Sequence, residues 1–198
     1  MSEYSLFQLC EFDEEEDGLD FRQREVLSAL SEDTNAVYSF QGLRRKLGIH
    51  QEMLTRTLER LKEQDLIERT SDGYRIGAGK NDSSFSYTAE ATAIERQVVT
   101  AHLPRRVDVS VTLDTLKGRW FDEFRWLGYS ETSSGVSLRW ITEDGRIQLR
   151  ADVSGGMLSI SAQYKSSMDE ERATRSALEI FDFILRQDTS AIRHHNLN

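Results

Sequence analysis

The stretch that decides the fold is GIHQEMLTRTLERLKEQDLIERT, Gly48–Thr70. Leu54, Leu58 and Leu61 recur at i, i+4 and i+7, which places them on one face of a helix from Gln51 to about Gln64. Gly48 can take the left-handed conformation that closes a preceding helix, and Ile49 then crosses the turn. Beyond the helix, Ile67–Thr70 and Tyr74–Ile76 flank Ser-Asp-Gly, and an Asp-Gly pair between short strand-like runs predicts a tight hairpin. On the N-terminal side, VYSFQGLRRKLG predicts a short helix with Ser39 as cap and Phe40, Leu43 and Leu47 inward. SEDTNA reads as a turn. FRQREVLSAL predicts a first helix, capped by Asp20, with Phe21, Val26, Leu27 and Leu30 at helical spacing.

The charge around this stretch differs from that of the whole chain. The 198 residues carry a formal charge of -9. Residues 1–19 hold seven acidic groups and no basic one, whereas residues 20–80 hold 11 Lys/Arg against 10 Asp/Glu. The acidity is therefore concentrated in an N-terminal leader, which reads as a solvated arm. What governs binding to a polyanion is whether one face is basic, not the total. Cys10 is the only cysteine, which excludes an internal disulfide and a thiolate metal cage. No run approaches the about 18 apolar residues of a membrane span, and the start lacks the basic and apolar regions of a secretory signal. A cytoplasmic protein is expected.

The remainder predicts a second unit. GAGKNDSS, residues 77–84, is the best linker; its GxGK lacks the other features of a phosphate loop. SYTAEATAIERQVVTAHL predicts a connecting helix ended by Pro104, giving a linker and connecting segment over 79–103. RRVDVSVTL alternates Val107, Val109, Val111 and Leu113 and predicts a strand. DTLKGRWFDEFRWLGY predicts a helix capped by Asp114, with Leu116, Trp120, Phe124 and Leu127 on one face and Gly128 closing it. VSLRWIT, RIQLRADV and MLSISAQY alternate as three strands, and a last helix near Met168–Arg186 buries Ala173, Ala177, Ile180, Phe181 and Ile184. The expected unit, residues 104–190, is β-α-β-β-β-α, an antiparallel sheet with helices on one face. The tryptophans leave a sheet face needing a cover, from the last helix, the connecting helix or a second subunit.

Three helices followed by a hairpin is the order of a winged helix-turn-helix, here over residues 20–78. With the leucines inward, Gln51, Glu52, Thr55, Arg56, Glu59 and Arg60 face outward. Gln pairs bidentately with adenine and Arg with guanine, so Gln51 and Arg56 have the chemistry of base readers. His50 and Thr55 can meet a phosphate or a base edge, and Arg60 lies one turn beyond Arg56. Arg44, Arg45 and Lys46 add three cations on the neighbouring helix, and Arg69 and Arg75 flank the hairpin turn. These suit a phosphate footprint. Glu52 and Arg56 also have the spacing of a surface ion pair.

The pattern LGI, then Thr55, Arg56, Leu58, Arg60 and Leu61, then DLIER and an acidic-glycine tip, resembles the winged helix-turn-helix of MarR/ArsR-like transcription regulators. That resemblance implies DNA contacts from Gln51, Glu52, Thr55 and Arg56 on the helix and from Arg69 and Arg75 on the wing. Glu52 and Asp72 depart from it, since a carboxylate repels phosphate unless it accepts from a cytosine amino group.

The sequence expectation is an α+β protein. The winged helix reads double-stranded DNA, and residues 104–190 dimerise or sense, giving a homodimeric transcription regulator. Neither catalytic nor metal-ligating residues stand out: His50, His102, His194 and His195 lack ligand spacing. No cofactor is expected. The alternative is a winged helix that docks a protein partner. The acidic leader also suits folding back on the Arg-rich helix, in which case deleting residues 1–17 tightens DNA binding at low salt.

Overall fold

The computed structural model describes residues 18–77, 93–103 and 109–194. Residues 1–17 of the predicted acidic leader, most of the linker and Pro104 lie outside these residues, whereas Leu19 at the leader's end is buried with the N-terminal helices. Local signals account for the first three helices. In α1 (Phe21–Ser31), Asp20 Oδ1 accepts from the Gln23 amide while Gln23 Oε1 accepts from the Asp20 amide, both at 2.8 Å. This reciprocal box satisfies two amides that a helix start otherwise leaves open. β1 (Ala36–Tyr38) follows, then α2 (Phe40–Leu47), whose cap Ser39 accepts from the Gly42 amide at 3.0 Å. Gly48, at φ 63°, ends α2 and donates to the Arg44 and Arg45 carbonyls. α3 (Gln51–Glu63) buries Leu54, Leu58 and Leu61 against α1, as expected.

β2 (Ile67–Arg69) and β3 (Tyr74–Ile76) form the predicted hairpin. The rest of the chain gives β4 (Ile94–His102), α4 (Val109–Leu116), β5 (Phe124–Thr132), β6 (Gly135–Thr142), β7 (Ile147–Ser154) and β8 (Met157–Tyr164). A 3-10 turn at Ser167–Asp169 leads into α5 (Glu170–His194). The described strands join in one eight-stranded antiparallel sheet, ordered β2-β3-β1-β5-β6-β7-β8-β4. The fold class is α+β, but the N-terminal helices do not stand clearly apart as a separate domain.

β1 is the joint. Tyr38 pairs with Tyr74 of β3 on one side and with Gly128 of β5 on the other. A Cβ at position 128 would lie 2.2 Å from the Val37 carbonyl oxygen, so only glycine fits. The two faces of the sheet carry different cores, because adjacent strand residues point opposite ways. Leu138, Trp140, Leu149, Ala151, Val153, Leu158 and Ile160 pack with Leu113 and Leu116 of α4 and Ala173, Ala177, Ile180 and Ile184 of α5. Leu127 and Ile141 point the other way and join the core of α1, α2 and α3. The final helix therefore covers one face, and the N-terminal helices cover part of the other.

Several sequence expectations are corrected. In its described part the connecting helix is instead the edge strand β4, paired along its length with β8. The strand expected over 105–113 is replaced, in its described part, by the start of α4, in which Leu113 and Leu116 are buried. The helix expected from Asp114 stops at Leu116; Gly118 turns the chain at φ 72°, and Phe124–Leu127 belongs to β5. The second unit thus runs β-α-β-β-β-β-α rather than β-α-β-β-β-α. Phe21 and Trp120, expected inward, are exposed.

Candidate nucleic-acid interface

The outward face of α3 consists of Gln51, Glu52, Thr55, Arg56, Glu59 and Arg60, all exposed. His50 stands at the N-cap position without a capping bond from its side chain, and it too is exposed. Thr55 Oγ1 donates back to the Gln51 carbonyl at 3.0 Å. Arg56 meets Glu52 at 2.5 Å, with about 70% of both side chains open to solvent (71% and 67%). Such a pair contributes only ~0.3–0.5 kcal/mol, so another anion can displace Glu52 at little cost. Arg60 reaches sideways to Asp20 at the start of α1, at 3.3 Å. Beside them Phe21 and Met53, both exposed, line a shallow groove with Arg22, His50, Arg56 and Thr57.

The cations of α2 are engaged within the chain. Arg45 Nε lies 2.7 Å from Glu143 Oε2, on the turn between β6 and β7, and its side chain is only 10% exposed. Lys46 Nζ bridges Glu32 at 2.9 Å and Gln148 at 3.0 Å. Arg44 is the most open of the three and stands 3.9 Å from Glu143. Arg125 of β5 approaches the same carboxylate at 3.6 Å. The Arg45 hydrogen bond first, then the charges of Arg45, Arg125 and Arg44, hold the Glu143 carboxyl below the usual range against the opposing effect of burial. Of these sequence-nominated cations, Arg45 and Lys46 tie α2 to the sheet.

At the hairpin, Arg75 pairs with Glu68 across the strands at 2.7 Å, and Arg69 lies over the Tyr74 ring at 6.0 Å. The tip is anchored. Asp72 Oδ2 accepts from the Tyr129 hydroxyl at 2.8 Å and faces Lys117 Nζ at 3.5 Å. The Tyr129 bond first, then Lys117, lower the Asp72 pKa. The negative tip charge that argues against DNA is thus already countered by a lysine. Lys117 Nζ also sits 4.1 Å above the Tyr129 ring.

Comparison with protein-family models, curated proteins and solved structures finds no match to this chain. Among the described residues no His, Cys, Asp and Glu group is placed to hold a metal, and no helix is long and apolar enough to cross a membrane.

A second polar node joins the two parts of the chain, and the sequence gives no sign of it. Arg139, 5% exposed, donates to Asp33 Oδ2 at 2.5 Å, and Ser130 Oγ donates to the same oxygen at 2.9 Å. Burial acts to raise the Asp33 pKa, but Ser130, Arg139 and the Asn35 amide more than reverse it. The Tyr38 ring lies beneath the Arg139 guanidinium, and burial pushes its phenol pKa well up. Asp33, Arg139, Lys117 and Tyr129 pair across long sequence separations, and no local spacing announces such contacts.

Proposed function

We propose that this chain is a cytoplasmic transcription regulator that binds double-stranded DNA sequence-specifically through α3 and acts as a homodimer. One observation carries the reading: among the described residues no element covers the outward face of α3, which presents Gln51, Thr55 and Arg56 at the N-terminal end of the second helix of a helix-turn-helix. In that motif it is the N-terminal residues of this helix that reach base edges, while flanking elements meet phosphate. The resemblance of residues 20–78 to MarR/ArsR-like regulators supports the same assignment. His50, Arg44, Arg60, Arg69 and Arg75 supply the flanking polar and cationic groups, and Glu52 either yields Arg56 to a guanine or accepts from a cytosine. A single module makes few phosphate contacts, and a two-fold pair doubles them and fixes half-site spacing. Ile94 on the edge strand and Leu178 on α5, both nearly half exposed, are apolar positions that a second copy can bury.

The test is selection of binding sites from a randomised duplex library at two salt concentrations. An enriched palindrome whose affinity falls steeply with salt is the expected result. No enrichment and no salt-sensitive binding refute the proposal. That result would favour the second reading, in which α3 docks a protein partner; the exposed Phe21 and Met53 in the groove beside Arg56 are the observation in its favour.

A further inference from the structure

Trp120 is 63% exposed, whereas Trp140 is fully buried and Trp126 packs edge-on to it at 5.7 Å. An exposed indole has an apolar ring open to water, and here the backbone that carries it is anchored by its neighbours. Lys117, three residues before it, is fixed at the hairpin tip by Asp72. Gly118 then turns the chain in the left-handed region, at φ 72°. The carbonyl of Arg119, the preceding residue, accepts from the Trp140 indole nitrogen at 3.0 Å, and its guanidinium lies 3.9 Å from the Phe183 ring centre. Trp120 therefore projects from a backbone anchored to the core. The Arg125 guanidinium sits 4.5 Å from the ring centre.

Lys117 and Arg125, each facing a carboxylate, link this position to the proposed DNA surface. Lys117 joins the patch to the hairpin tip, and Arg125 joins it through Glu143 to Arg44 and Arg45 of α2. The Arg125 guanidinium lies against this ring, and Lys117 and Arg119 stand within three residues of it in the chain. A rigid aromatic among cations is the arrangement that stacks a nucleobase while the cations hold the adjoining phosphates. We propose that Trp120 is a base-stacking contact which the C-terminal part of the chain adds to the DNA surface, next to the hairpin tip. This rests on the DNA-binding reading. The preferred partner is then duplex DNA with an unstacked or easily unstacked base beside the recognition site, because a wedge or stacking residue gains most where the step opens readily.

The experiment uses the full chain and the selected duplex, intact or with one unpaired base at each position flanking the site. Affinity and intrinsic tryptophan fluorescence are measured for the wild type, Trp120→Phe and Trp120→Ala. In the expected result the unpaired base at one flank tightens wild-type binding and quenches fluorescence, and Trp120→Phe abolishes the quenching while retaining most of the affinity. Trp120→Ala weakens binding about 5- to 150-fold, the range of one lost base–aromatic stack, with the salt slope unchanged because no charge is lost. Thermal unfolding of both variants should match the wild type, since the side chain is largely exposed. If Trp120→Ala binds as the wild type does and the quenching persists in Trp120→Phe, the stacking inference is overturned and the DNA reading stands. If the wild type binds no duplex even at low salt, the DNA reading fails and the inference fails with it.

Discussion

Replacing Asp33 by Asn tests how the N-terminal helices are held to the sheet. Asp33 lies in the turn between α1 and β1, and its carboxylate is the ion-pair partner of the Arg139 guanidinium, 2.5 Å away. The side chains are 24% and 6% exposed, so the pair is largely removed from water. Asn keeps the shape, but its one oxygen can replace only one of the two acceptors that serve the Asn35 amide (Oδ1) and Ser130 with Arg139 (Oδ2), and it leaves Arg139 charged, buried and uncompensated. Breaking a fully buried pair costs ~3–5 kcal/mol, and the partial exposure of Asp33 brings the expectation to ~2–4 kcal/mol. For a chain of this size that corresponds to a fall in Tm of roughly 5–15 °C. Urea unfolding of the wild type and Asp33→Asn reads the loss directly. The carboxyl pKa is lowered in the folded state, so its stabilisation is fully present above the unfolded value of about 3.9 and is lost as pH falls through the folded pKa. The gap between the two proteins should therefore close in acid. The double variant Asp33→Ala/Arg139→Met, which removes both charges, should recover much of the loss. A deficit below ~1 kcal/mol at neutral pH, or a gap that widens in acid, would refute the argument.

Other substitutions probe the remaining contacts. Arg56→Ala should relax sequence preference at one base position and weaken binding to the selected site by ~1–3 kcal/mol, whereas unchanged binding removes Arg56 from the base readers. Gly42→Ala should destabilise by ~1–3 kcal/mol although alanine is the better helix former, because its Cβ would lie 2.6 Å from the Leu127 carbonyl oxygen; equal or greater urea resistance would show that α2 can move off β5. Tyr129→Phe should raise the Asp72 pKa towards its ordinary value, since the Tyr129 hydroxyl bond is the leading cause of its depression; carbon-detected NMR titration of the carboxyl checks this, and an unmoved pKa would assign the effect to Lys117.

What the sequence by itself determined is what short-range chemistry controls. The leucine stripe of α3, the caps Asp20 and Ser39, the Gly48 terminus, the Asp-Gly hairpin and the strand runs of β6, β7 and β8 are all local, and each appears where expected. So do Arg56 and Glu52 as a surface pair. Tertiary structure decided the elements whose period is broken. Both faces of β5 are covered, so Phe124 and Leu127, three residues apart and pointing opposite ways, are both buried, in the cores on opposite faces of the sheet, and the bulge between Trp126 and Gly128 then returns Tyr129 to the face of Trp126. Their i, i+3 spacing therefore imitates a helix. A bulge between Gln97 and Val99 and the solvent on the open side of an edge strand likewise erase alternation from β4. In α4, Leu113 and Leu116 face the core at helical spacing, while the β-branched alternation around them imitates a strand. The site divides in the same way. Which residues of α3 face outward follows from a helical repeat, but the engagement of Arg45 by Glu143, the anchoring of Asp72 by Lys117 and Tyr129, and the projection of Trp120 depend on pairings between distant parts of the chain. Local spacing fixes a residue's direction on its own element, whereas its partner is set by how the elements pack.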